Sequence, residues 1–284
     1  MKQILQTLKL LRSHKTYVYY SLAYGLSTLV VPLGVQFLVN NLALSGIWLN
    51  TTAFIVFIVI GLVLTQTIKH SQLILVESLL REIFCLEIAG WRSAKVGGKS
   101  QYYFEVLNLL KSFSKSYSNI IETALVMLFG LTTIIFFHPT FLALAVIILL
   151  TVYQIYASSG SALRTSIEES NQKYRLYDKV HAEEEIRDED VRDFLSARDR
   201  HFCFVRRNSF KIAGLVVVTQ FVLLILGCYL IKIGQLSVGQ LVSAEIILSG
   251  IFVPLAKLPQ TLEAIYDYET SKYKIQKAFS GGAT

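Results

Sequence analysis

Charged side chains are scarce in this 284-residue sequence. They make up 17% of its residues, whereas soluble domains carry about 25%, and apolar residues make up 53%. This composition excludes an ordinary soluble enzyme, a disordered tail and a small secreted domain. The net charge of +7 is therefore taken first as a signal of membrane topology, because basic residues mark the cytoplasmic side of membrane proteins.

Cysteine is equally rare. Cys85, Cys203 and Cys228 are too few and too scattered for a disulfide framework, and no Cys-x-x-Cys pair supports a zinc site. We expect all three to be buried, small apolar side chains. The histidines lack metal-ligand spacing, and no nucleophile motif such as Gly-x-Ser-x-Gly occurs. The sequence thus predicts no catalytic residue, metal or cofactor in this chain.

The sequence is rich in long runs of apolar residues. Crossing the hydrocarbon core of a bilayer takes about 20 apolar residues in a helix. The runs that satisfy this requirement lie at residues 17–40, 52–76, 119–137, 140–159, 211–231 and 240–258. They predict an all-α, polytopic membrane protein with six spans. The first run is too long for the apolar part of a signal peptide and no cleavage site follows it, so we expect it to be retained as a membrane helix.

The charges between the spans predict their orientation. The connections after the first, third and fifth spans are short and carry almost no charge, whereas the other two are long and hold most of the lysines and arginines. The positive-inside rule therefore places both termini and both long connections in the cytoplasm.

The long connections have the pattern of helices. Residues 69–91 and 101–137 keep apolar side chains at helical spacing without proline. The second stretch would be about 55 Å long, roughly 25 Å more than the bilayer requires. Residues 161–191 behave likewise, so we expect long cytoplasmic helical extensions with reversals near residues 93–100 and 178–188.

The chain accordingly divides into three predicted parts. Residues 1–16 include the amphipathic stretch KQILQTLKLLR, which suits an interfacial helix on the membrane surface. Residues 17–279 form the six-helix membrane domain, with intracellular loops near 91–101 and 176–192. Residues 280–284 are a C-terminal tail.

Three stretches resemble a known family. YGLSTLVVPLGVQFLVNNLAL is similar to the first span of the transmembrane domain of ABC exporters, and the segment from VGGKSQYY to FFHPTFLALAVIILL resembles its third and fourth spans. The C-terminal GQLSVGQLVSAEIILSGIFVPLAKLPQTLEAIYDYETSKYKI matches its fifth turn and sixth helix. The resemblance is closest to bacterial exporters of peptides or proteins and covers residues 1–279, without a nucleotide-binding domain.

This resemblance implies a permease subunit in the bacterial inner (plasma) membrane. Such a subunit dimerises, with itself or with a related chain, and couples through its intracellular loops to an ATPase. Here the ATPase would be a separate chain, and ATP would bind there. The implied partners are that ATPase, a second membrane subunit and the lipid bilayer, with no nucleic acid.

The resemblance also assigns candidate coupling residues to the two intracellular turns. They are Lys95, Gly97, Gly98 and Lys99 in the first turn, and His181, Glu183, Glu184, Glu185 and Asp188 in the second. The first turn contains Gly-Lys-Ser but neither the leading glycine nor the preceding strand of a phosphate-binding loop, so we interpret it as a helix–helix turn. The second lacks the glycine usual in the family, and its acidic cluster is either a solvated helix face or a docking surface for a basic groove.

Four polar residues fall at or near membrane depth, namely Glu122, Glu245, Lys69 and His70. A glutamate facing lipid costs roughly 2–3 kcal/mol, so both glutamates are expected to face a cavity or a partner helix. They would line a pathway or, alternatively, relay protons.

The residues leave several functions open. Besides the permease subunit, the chain could be a proton-driven transporter on the same scaffold, using Glu122 and Glu245. It could also be a membrane adaptor that recruits a partner through its acidic cytoplasmic tip, or a catalytically idle remnant. A fourth hypothesis is that it is the membrane half of a longer protein.

Overall fold

The structure, a computed structural model, describes residues 15–44, 48–93, 99–181 and 186–280. The predicted interfacial helix and the tips of both predicted reversals lie outside these residues.

The described residues form helices and turns, without a strand. The α-helices are α1 (Lys15–Ser27), α2 (Val30–Leu44), α3 (Trp48–Ser93), α4 (Lys99–Phe137), α5 (Leu142–Ala157), α6 (Ser159–His181), α7 (Asp188–Lys232), α8 (Val238–Ala256) and α9 (Leu258–Ser280). A short 3₁₀ helix, Pro139–Phe141, forms the predicted turn between the third and fourth spans, and the side chain of His138 caps its start.

Six segments of the described chain are long and apolar enough to cross a membrane. They are Lys15–Asn41, Thr52–Glu82, Val106–Phe137, Pro139–Ala157, Asp188–Lys232 and Val238–Lys272. This confirms the predicted all-α architecture with six membrane-compatible segments. Their orientation, with the termini in the cytoplasm, stays a prediction.

Three helices are much longer than a membrane crossing. Helices α3, α4 and α7 contain 46, 39 and 45 residues, which corresponds to roughly 60–70 Å at 1.5 Å per residue. That is about twice the thickness of the hydrocarbon core. Helices α3, α4 and α7 therefore continue without interruption beyond their spans, as the sequence predicts. The fourth span instead ends with α5 at Ala157, and its predicted extension is the separate helix α6, which ends at the second predicted reversal, where α7 begins.

The first span is not one continuous helix, contrary to our expectation. Helix α1 ends and α2 begins on either side of residues 28–29. Pro32 has no N–H to donate to the carbonyl of Thr28, and the Thr28 hydroxyl donates back to the Gly25 carbonyl at 2.7 Å. The Ser27 carbonyl accepts a hydrogen bond from Thr65 of α3 at 3.3 Å. Side chains thus satisfy carbonyls that the interrupted helix leaves free.

The chain forms two compact units. The first consists of Met1–Leu79, Ile120–Leu149 and Leu215–Leu255, and the second of Leu80–Asn119, Leu150–Gly214 and Ala256–Thr284. In the first unit Leu223, Leu248 and Ile251 are buried, while large apolar side chains such as Phe136 and Val217 are exposed. An outward apolar surface of this kind is typical of helices that face lipid.

The three cysteines are exposed, so the expectation of burial was wrong. Cys228 lies in the membrane-compatible part of α7, where the outer surface of a helix meets lipid. A small apolar side chain there needs no protein core around it.

Candidate functional site

In the first unit, Lys69, Glu122 and Tyr24 form a polar cluster that contains an ion pair. Nζ of Lys69 on α3 lies 3.2 Å from Oε1 of Glu122 on α4. The hydroxyl of Tyr24 on α1 donates to the same carboxylate oxygen at 3.3 Å and accepts from Lys69 Nζ, also at 3.3 Å. The structure thus brings two predicted membrane-depth residues together, and each balances the charge of the other.

A buried hydrogen-bond chain lies beside this ion pair. Nε2 of Gln72 on α3 donates to the hydroxyl of Ser21 on α1 at 2.9 Å, and that hydroxyl donates to the Tyr17 carbonyl at 2.9 Å. Gln72 follows Lys69 by one helical turn, so both contacts join the same faces of α1 and α3. These bonds fix the packing of the helices.

Glu245 on α8 has different neighbours. Its Oε1 accepts a hydrogen bond from Nε2 of Gln220 on α7 at 3.3 Å, and the same nitrogen lies 3.4 Å from the Ser249 hydroxyl. Its Oε2 is buried and has no hydrogen-bond partner in the described part of the chain. Within the described residues no ion pair includes Glu245.

Helix α8 is the most enclosed of the membrane-compatible helices. In the membrane-compatible segment Val238–Lys272, which includes α8, 50% of the most apolar stretch is buried. The corresponding share in Thr52–Glu82, which belongs to α3, is 6%. A Cβ added to Gly130 of α4 would lie 2.8 Å from Ile251, and the N–H of Gly239 donates to Oδ1 of Asn40 on α2 at 3.2 Å. Glu245 therefore lies on a helix that packs against α2 and α4. His70, the fourth of the predicted membrane-depth residues, is exposed on α3.

Most of the predicted coupling residues cannot be placed. Lys95, Gly97, Gly98, Glu183, Glu184 and Glu185 lie outside the described residues. Lys99 begins α4, His181 ends α6 and Asp188 begins α7.

The start of α7 is acidic and exposed. Asp188, Glu189 and Asp190 form its first turn, where negative side chains favour the helix N-terminus. Oδ2 of Asp190 lies 2.6 Å from Nζ of Lys179 on α6. These contacts give this part of the acidic segment a role in the helix start and in the packing of α6 on α7.

The second unit contains a polar cavity that the sequence did not predict. Its volume is about 350 Å³. Its lining includes three carboxylates, three cations and several hydroxyls: Glu169, Glu263, Asp267, Lys111, Lys173, Arg198, Ser112, Ser166, Ser170, Thr270 and Ser271.

Glu169 organises one wall of this cavity. Its Oε1 accepts from Nη1 of Arg198 at 2.6 Å, and its Oε2 accepts from Nδ1 of His201 at 2.6 Å. Burial alone would raise the pKa of Glu169, but the hydrogen bonds from His201 and Arg198 outweigh it and hold the pKa below its ordinary value. The carboxylate thereby joins α6 to α7.

The sequence carried a signal for this cluster. Glu169 and His201 are nearly equidistant from the second predicted reversal, so an antiparallel arrangement of α6 and α7 brings them to the same level. Lys69 and Glu122 stand in the same relation to the first predicted reversal. Within the described residues no group of three or more His, Cys, Asp or Glu side chains is placed to hold a metal ion.

Comparison of the chain with protein-family models found no match, and comparison with curated proteins found none either.

Proposed function

We propose that the chain is the membrane-spanning permease subunit of an ABC-type exporter, coupled through its intracellular loops to a separate ATPase. The observation that carries this proposal is the length of α3, α4 and α7, each 39 to 46 residues. About half of that length suffices to cross the bilayer. The remainder can carry the tips at residues 94–98 and 182–187 to a partner in the cytoplasm. The resemblance of the sequence to exporter membrane domains supports the same function.

Two copies of the chain, or one copy with a related subunit, would enclose the translocation pathway. Closure of the ATPases on ATP would displace the helix tips and switch the pathway between inward-open and outward-open states. The ion pair of Lys69 with Glu122 joins α3 to α4, so a displacement of the tip between these helices would reach both of them together.

Co-purification tests the proposal. The tagged chain is extracted from its native membranes in mild detergent, and vanadate-sensitive ATP hydrolysis of the eluate is measured. We expect an ATPase that is lost when Glu183, Glu184 and Glu185 are replaced by glutamine. The matched control replaces Asp193 and Asp199, two exposed acids of α7, by asparagine, and should retain the ATPase. An intact wild-type chain that elutes without ATPase contradicts the proposal.

One observation favours a second candidate, an ATPase-independent, proton-driven transporter. Glu122 is balanced by Lys69, but Glu245 has no cationic partner among the described residues. Of the two glutamates considered for proton coupling, Glu245 therefore suits that function better. Transport into proteoliposomes driven by a pH gradient, abolished by Glu245→Gln, would support this candidate, and unchanged transport in that variant would exclude it.

A further inference from the structure

We infer that Glu245 is an intramembrane proton-binding site, and that its carboxylate has taken up a proton to form the neutral acid in the conformation described. This inference goes beyond the proposed function because it holds for either energy source. It rests on the scarcity of charge in the first unit, on the hydrogen bonds of Glu245, and on the residues that surround α8.

Charged and imidazole side chains are few in the described part of the first unit. They are Lys15, Lys69, His70, Glu77, Glu122, His138, Lys232 and Glu245. Lys69 is engaged by Glu122 at 3.2 Å. Lys232 is the last residue of α7. It lies twelve residues, or about three helical turns, beyond Gln220, which contacts Glu245.

The hydrogen bonds of Glu245 do not suit an ion. An ionised carboxylate has two oxygens that accept several hydrogen bonds. Among the described residues, one oxygen of Glu245 accepts a single bond of 3.3 Å from Gln220, and the other has no partner. A buried carboxylate without a cation or further donors is stable only when it is neutral. Protonation of the free oxygen removes the charge and turns that oxygen into a donor.

The helices packed near Glu245 supply no compensating charge. In the described residues α7 presents neutral Gln220. Helix α4, which contacts α8 at Gly130, carries no charged residue after Glu122. Helix α2, which contacts α8 through Asn40, carries none at all. On α8 itself, the hydroxyl of Ser249 shares the Gln220 nitrogen with Glu245 and is uncharged.

The site is assigned to a proton in preference to a metal cation. Hard cations take about six or more oxygen ligands. Besides the carboxylate of Glu245, the described hydrogen bonds at this site include one further oxygen, the hydroxyl of Ser249, which shares the Gln220 nitrogen. A proton needs one oxygen, and Oε2 supplies it.

Infrared difference spectroscopy of the full-length chain, reconstituted in lipid at pH 7, tests the assignment. We expect the wild type to show the carbonyl stretch of a protonated carboxyl group. Glu245→Gln should lose this band, Glu245→Asp should keep it at a shifted frequency, and the matched variant Glu122→Gln should keep it unchanged. A wild-type spectrum without the band, or a band that survives Glu245→Gln, overturns the inference.

A stability measurement separates the proton from a metal cation and guards against misfolding. Because glutamine resembles the neutral acid, the Tm of Glu245→Gln should lie within about 3 °C of the wild type. Exchange of sodium for potassium should leave the wild-type Tm unchanged. A Tm raised by sodium in the wild type but not in Glu245→Gln would identify a cation site and overturn the proton assignment. If Glu245→Gln fails to fold, Glu245→Asp decides: the absence of a shifted band then overturns the inference.

Discussion

At the scale of single residues, the two membrane-depth glutamates differ in their neighbours. Glu122 lies 3.2 Å from Lys69 and accepts from the Tyr24 hydroxyl, whereas Glu245 accepts from the neutral amide of Gln220 and has no cationic partner among the described residues. Removing one partner of an ion pair leaves the other charge without a counter-charge. Removing a neutral acid leaves no such charge behind. Glutamine should therefore destabilise the protein at position 122 and leave its stability nearly unchanged at position 245.

We predict that Glu122→Gln destabilises the protein by about 1–2 kcal/mol, since Lys69 is then left without its counter-charge. The double variant Lys69→Met, Glu122→Gln should recover much of this loss because both charges are removed. Thermal unfolding in detergent measures both. Equal destabilisation in the single and double variants would show that the pair does not stabilise the fold.

A second prediction concerns the pH dependence of stability. The pKa of Glu169 is lower in the folded protein than its ordinary value of 4.5. Its contribution to stability is therefore complete above pH 4.5 and is lost as the pH falls through the folded pKa. We expect the Tm to fall below about pH 4.5 in the wild type, and to fall less steeply in Glu169→Gln.

The matched control is Glu168→Gln, on the same helix. Glu168 pairs with Arg200 at 2.7 Å, but both side chains are about half exposed, and exposed pairs contribute little. This variant should keep the Tm and pH dependence of the wild type. The assignment to Glu169 fails if both glutamine variants change the pH profile equally.

The sequence predicts some of these residue contacts and not others. Lys69 with Glu122, and Glu169 with His201, lie nearly symmetrically about the two predicted reversals, so antiparallel helices bring each pair to a common level. The hydrogen bonds of Tyr24 with Lys69 and of Gln72 with Ser21 depend on how α1 packs against α3. That packing is set by the match between side chains of distant segments, which no local pattern reveals.

At the scale of elements, membrane spans follow from the lengths of apolar runs, but breaks in helices do not follow from proline alone. Pro254 lies inside α8, which ends two residues later at Ala256, whereas Pro32 lies in the first turn of α2 and the break comes before it. At the break before Pro32, the Thr65 hydroxyl of α3 lies 3.3 Å from the Ser27 carbonyl of α1 and 2.7 Å from the Gly61 carbonyl of its own helix. Such a contact between helices is invisible in the sequence of either one.

Close packing of α8 gives a third prediction. A Cβ at Gly239 would lie 2.5 Å from the Gln36 backbone carbonyl and from Asn40 Oδ1. Gly239→Ala should therefore destabilise the protein by about 1–3 kcal/mol. Gly250, on the same helix, has no atom within 4 Å of an added Cβ, so Gly250→Ala should be neutral or stabilise by up to about 1 kcal/mol. Similar unfolding temperatures for the two variants would contradict the packing of α8 against α2.

At the scale of the whole molecule, the charge pattern predicts which side of the membrane each turn occupies. In a variant with the three native cysteines replaced by serine, Thr140→Cys and Ser196→Cys introduce single reporters at exposed positions. An impermeant maleimide added to intact cells should label the first reporter, and should label the second only after permeabilisation. The reverse pattern contradicts the orientation, and labelling of both from one side contradicts the arrangement of spans.

Composition and helix length thus lead to six membrane-compatible segments on long helices, whereas coupling to an ATPase stays a proposal. The most direct test of the permease proposal is native mass spectrometry of the complex extracted from its own membranes. We predict an assembly of two membrane subunits, at least one of them this 32.0 kDa chain, with ATPase subunits bound. A chain that is recovered only as a monomer or dimer without ATPase, from membranes in which it is intact, contradicts the proposal.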